Sequence, residues 1–200
     1  MKNKIKIYTT KNRYNCGPCS FINLTGIKGN KKLEENLSKE GKLKPFRASS
    51  YTAFLIWGNK YNKKLTIYTA SKKLNNKIIG FMTKYEKIPK ELQERYKNLA
   101  IKRFKKLNKK FSSKVKKLQD PIKKLDSLLE KGYFVDVLIC SFYLKVNSPH
   151  WIVAFKKQGD EYYFMCSKKG QIKLSKKDLL KGFKLNKRNG YYPVLIAYKK

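Results

Sequence analysis

The chain has 200 residues, 41% of them hydrophobic and 14% aromatic, enough for one buried core and too many for a wholly disordered protein. Its 49 basic residues against 13 acidic ones give a formal charge of +36, with only five arginines among them. Such a surface draws polyanions, but a dedicated phosphate groove leans on the arginine fork, so most of this charge reads as a solvated lysine background.

The N-terminus, "MKNKIKIYTTKNR", lacks the apolar run of a secretion signal. No stretch approaches the ~20 apolar residues of a membrane span, so a cytoplasmic protein is expected. Without a repeat or a Pro/Gly/Ser-rich linker, the chain reads as one domain over 1–200. A short edge strand is predicted over Ile5–Thr9, and a helix over Cys16–Ile27, with Phe21, Leu24 and Ile27 on one face. Further helices are predicted over Lys31–Glu40 and Tyr51–Tyr61, then a strand in "KKLTIYTA". The Lys-rich segment 89–131 follows. Leu92, Tyr96, Leu99, Phe104, Leu107, Phe111, Val115 and Leu118 predict one long amphipathic helix, bent at Ser112–Ser113. Asp120-Pro121 opens another helix to Lys131, as N-cap and first-turn proline. After Gly132 the pattern changes to strand. "YFVDVLICSFYL" is a continuous apolar run, and "HWIVAFKK" and "EYYFMCS" form a hairpin around "QGDE". "LSKKDLLKGF" is a short helix capped by Ser175, and "GYYPVLIAYKK" is a closing strand. Helices first, then a mainly antiparallel sheet, is an α+β order.

The stretch "YNCGPCSFINL" places Cys16 and Cys19 around Gly17-Pro18 at a helix start. Thioredoxin carries such a motif after a central strand, and only a short basic segment precedes it here. The alternative is a lone nucleophile. A cysteine at a helix N-terminus feels the macrodipole, which favours thiolate, and Lys11 and Arg13 add positive charge. A nucleophilic cysteine needs a base, and the one histidine, His150 in "NSPHWIVAF", is the only imidazole on offer.

"CGPCSFINL", "GYFVDVLICSFYLKVNSPHWIVAF" and "DEYYFMCSKKGQIKLSKKDLLKGF", in that order, resemble the bacteriocin-processing (double-glycine leader) family of papain-like cysteine peptidases, in a stand-alone branch. The likeness spans nearly the whole chain. It implies a papain-like fold, with Cys16 as nucleophile and His150 as general base. It implies cleavage of a peptide after small residues, without a cofactor, and the basic surface would favour an acidic peptide. Cys19 falls where the family has a small packing residue. The chain departs from the family twice. The family's oxyanion-donating Gln is replaced by Thr10, with Asn12 the nearby amide, and the acid or amide that orients the histidine is replaced by Cys166.

Two other readings stay open on the residues alone. One is a catalytically impaired papain-like fold that binds peptide or nucleic acid through its basic face. The other is a thiol redox or zinc protein using Cys16, Cys19, His150 and Cys166.

Overall fold

The computed structural model describes residues 6–12 and 14–199. Its centre is a seven-stranded sheet in the order β2-β1-β7-β3-β4-β5-β6. The strands are β1 (Thr66–Thr69), β2 (Val115–Lys117), β3 (Phe134–Cys140), β4 (Pro149–Gln158), β5 (Glu161–Cys166), β6 (Gly170–Ser175) and β7 (Val194–Tyr198). All neighbours pair antiparallel except β1 and β2. Among the described residues the class is therefore α+β, and strands from the helical half complete one sheet edge.

Side chains of β3 alternate between two apolar layers, as a pleated strand requires. Val135, Val137 and Ile139 join one layer, with Leu125 and Leu128 of α6 (Pro121–Glu130) and Leu179 and Phe183 of α7 (Lys176–Arg188). Leu138 joins the other layer, under α1 (Cys16–Thr25), α3 (Tyr51–Lys60), α4 (Asn76–Tyr85) and α5 (Lys90–Lys110). Phe21, Phe54, Trp57 and Trp151 form its aromatic centre, with ring centroids 4.9 to 6.3 Å apart. Buried aromatics in tilted and edge contacts add to their area burial. Trp57 Nε1 donates to Leu37 O at 3.1 Å, which ties α3 to α2 (Lys31–Gly41).

Local chemistry sets most boundaries. α1 stops at Gly26, whose φ of 68° is the left-handed conformation that ends many helices. Asn30, Ser50, Asn75 and Asp120 cap α2, α3, α4 and α6 through their side chains. Ser175 and Asp178 form a reciprocal capping box at α7.

The structure corrects several expectations. The long helix ends at Lys110. Phe111 caps it, 112–114 make a 3-10 turn, and Val115–Lys117 is β2, parallel to β1. Val115 and Leu118 are buried as strand and loop residues whose spacing mimicked a helix. α4 was not anticipated, and neither was β6. The run after Gly132 leaves the sheet at Cys140, and 142–144 form a 3-10 turn. Ile5 lies outside the described residues, and 6–10 are not strand. Tyr8 is held instead by Asn23, whose Oδ1 accepts from its N–H at 2.7 Å and whose Nδ2 donates to its C=O at 3.0 Å.

Candidate active site

Cys16 opens α1, and that helix packs on β3, β4 and β5. Its side chain reaches the start of β4, where the backbone N–H of Trp151 points at the thiol. Gly17 makes this approach possible, because a Cβ there would lie 2.9 Å from Ser49 Cβ. Ser49 is also fixed, since its C=O accepts from Trp151 Nε1 at 3.3 Å. His150 precedes Trp151 on β4, so the helix start and the strand start meet. Cys16 and His150 line one cavity of about 140 Å³.

Cys166, which the family resemblance puts in place of the residue that orients the histidine, lies beside His150. Cys166 ends β5, paired through Ile152, and its Sγ is 3.6 Å from His150 Nε2. Tyr143 closes the group. Its ring stands edge-on to His150 with centroids 6.4 Å apart, and its buried hydroxyl has no hydrogen-bond partner. Asp160 sits in the exposed β4–β5 turn, away from the imidazole.

The proposed oxyanion donors are placed differently. The Thr10 hydroxyl donates to Glu34 Oε1 at 2.7 Å. Asn12 is exposed, and its Oδ1 accepts from Tyr14 N–H at 3.0 Å. Glu34 is the hub of this end of the chain. It also accepts from Asn15 Nδ2 at 2.6 Å and from the Tyr8 hydroxyl at 3.0 Å. Asn15 Oδ1 in turn accepts from Ser38 at 3.0 Å. A buried carboxylate with three donors fixes the residue before Cys16, so Glu34 positions the helix start. Sequence reasoning missed it because it reads as one more charged residue on an amphipathic helix.

The surroundings of Cys16 oppose the thiolate that its helix position favours. Burial pushes the Cys16 thiol up, and Asp136 adds to this when ionised. The Trp151 and Gly17 N–H groups and Lys168 act the other way without overturning it. Burial and then the Lys168 charge lower His150 to about 4. Both shifts favour the uncharged thiol and the uncharged imidazole. Cys19 is fully buried, and burial pushes its thiol up as well, as suits a packing residue. All four cysteines are free thiols, and no cluster of three metal-binding side chains occurs among the described residues.

Two ionisable groups near Cys16 carried no sequence signal. Lys168, just after β5, donates to the C=O of Asn12 at 2.8 Å and of Thr10 at 3.2 Å. It supplies the cation near the thiol that Lys11 and Arg13 were expected to supply; Lys11 is exposed, and Arg13 lies outside the described residues. Asp136 is fully buried in β3, and neither of its oxygens makes a hydrogen bond, although Ser20 of α1 faces it.

No family model and no curated protein matches the chain. No helix among the described residues is long and apolar enough to cross a membrane.

Proposed function

We propose that the protein is a cysteine-dependent acyl hydrolase or acyltransferase of the papain-like type. The observation that carries this reading is the sharing of one cavity by Cys16 and His150, with Cys166 Sγ 3.6 Å from His150 Nε2. A nucleophile at a helix start, a base at a strand start and a third group beyond the base form the arrangement that covalent catalysis needs.

In this reading His150 takes the Cys16 proton as sulfur attacks a carbonyl carbon. The neutral resting pair makes the imidazole a general base at the moment of attack rather than a partner in a standing ion pair. The Trp151 and Gly17 N–H groups stabilise the developing charge on sulfur. His150 then returns the proton to the leaving group, and water or another acceptor releases the acyl group from Cys16. The resemblance in sequence points to a peptide carbonyl and to peptidase activity, and the chemistry at Cys16 is the same for any acyl group. Cys166 holds the ring less firmly than a carboxylate or amide, because a thiol is a weak hydrogen-bonding group.

The test is acylation by p-nitrophenyl acetate, followed by intact-mass spectrometry. One acetyl group should appear on Cys16, with a burst of nitrophenol. His150→Ala should slow the burst by roughly 10²-fold or more, and Cys16→Ser should abolish it. Equal bursts in wild type and His150→Ala would leave Cys16 an ordinary thiol. The basic surface would then be the place to look, beginning with the exposed lysines of α5 and their salt-dependent binding to nucleic acid.

A further inference from the structure

The cavity beside Cys16 does not resemble a slot for glycine. Ile78, Phe81 and Met82 of α4, Phe104 of α5, Leu138 of β3 and Val194 of β7 line it together with Cys16. Several of its polar neighbours are engaged elsewhere. The Tyr51 hydroxyl donates to Asn108 Oδ1 at 2.7 Å, and Thr69 Oγ1 donates to Ser71 O at 2.9 Å. Glu86 accepts from the Arg47 N–H at 2.8 and 3.0 Å, and the Ser148 hydroxyl is paired with that of Ser141 at 3.1 Å.

A peptide segment brings an N–H and a C=O with every residue, and each needs a partner once buried. A hydrocarbon chain needs none. At about 140 Å³ the cavity matches the engineered apolar cavity of roughly 150 Å³ that holds benzene, a group of six carbons. Lys73 lies exposed at the rim, and the whole chain carries +36. An anionic carrier would be drawn to that exterior while its apolar end entered the cavity.

We propose that this cavity holds the chain of a medium-length fatty acyl group, presented to Cys16 as a thioester of an anionic carrier. The inference rests on the reading of Cys16 as an acyl-accepting nucleophile and narrows its substrate. Cys16 sulfur bonds to the thioester carbonyl carbon as its proton passes to His150. The tetrahedral adduct collapses with cleavage of the carbon–sulfur bond to the carrier. The carrier thiolate takes the proton back from His150, leaving the acyl group on Cys16. Water then adds to that carbonyl and releases the free acid, restoring the thiol.

The experiment compares N-acetylcysteamine thioesters of acetate, octanoate and palmitate in single turnover, with S-acylation of Cys16 read by intact mass. A buried methylene is worth roughly fourfold, so octanoyl should outpace acetyl by about 100-fold or more, and palmitoyl should fall below octanoyl. Met82→Trp, which fills the cavity, should move the preference to shorter chains; Ile78→Phe serves if that variant does not fold. Equal rates for acetyl and octanoyl overturn the assignment, as does a glycyl-glycine thioester that reacts faster than octanoyl. Calorimetry of octanoate with Cys16→Ala separates the two claims. Octanoate binding without acylation of wild type by any thioester overturns the acyl-transfer reading and leaves the cavity's ligand standing. Acylation without octanoate binding does the reverse.

Discussion

Asp136→Asn tests the buried electrostatics under the site. Asp136 is fully buried on β3 with both oxygens unpartnered, and burial holds its carboxyl well above the usual range. In the unfolded chain it ionises near 3.9. Above that pH the folded state holds a proton that the unfolded state has lost. Stability therefore falls as pH rises, by about 1.4 kcal/mol per pH unit until the folded carboxyl titrates. Asparagine is neutral at every pH and close in volume, so the variant lacks this loss. His150 acts in the opposite sense. Its folded value of about 4 lies below the ordinary 6.5, so its contribution is lost as pH falls through that interval, by about 3 kcal/mol in total. Comparing wild type with Asp136→Asn cancels the histidine and leaves the carboxyl. Urea unfolding followed by the fluorescence of buried Trp57 and Trp151, at pH values from about 4 to 8, gives the difference. The variant should gain on wild type steadily as pH rises from the lower end. Parallel profiles across the whole range would refute the assignment of a buried neutral acid.

Cys166→Asn should raise the rate of Cys16 acylation by about tenfold with little change in KM. The amide oxygen can accept from His150 Nε2, and its N–H₂ can meet the unpartnered Tyr143 hydroxyl; a slower enzyme would count against Cys166 as the ring's positioning residue. Glu34→Ala removes a buried acceptor from Tyr8, Thr10 and Asn15 and should cost about 3 kcal/mol or more, with faster hydrogen exchange in the segment before Cys16. Unchanged exchange there would show that Glu34 does not fix the helix start. Lys168→Met removes a cation that lowers His150, so the acid edge of the acylation profile should move to higher pH. An unmoved edge would mean that Lys168 acts only through its bonds to Thr10 and Asn12.

The site was legible where a residue type was unique or a motif was tight. His150 was the sole histidine, Cys16 stood at a helix start, and the family resemblance joined the two as a candidate pair. Cys166 came from the family resemblance, which puts the orienting residue at that place, and the structure sets it against His150. Lys168 and Asp136 were not legible. One is a lysine in a lysine-rich chain, and the other sits inside an apolar strand, where only the structure shows that it lacks a partner. The helix position that favours thiolate at Cys16 is visible in sequence, and the burial that opposes it is not. In the fold, β2 was hidden because Phe111, Val115 and Leu118 kept a helical spacing past the point where the chain turned to pair with β1. The capped helices and the β4–β5 hairpin were legible because their signals are local.

The central claim is that Cys16 acts through His150. The most direct measurement is the pH dependence of Cys16 alkylation by iodoacetamide, resolved from Cys19 by mass spectrometry, in wild type and His150→Ala. With a neutral imidazole as base, the rate should hold a plateau from about pH 5 to 8, and His150→Ala should abolish it. A rate that climbs tenfold per pH unit in both proteins would show a thiol that reacts alone, and would contradict the account.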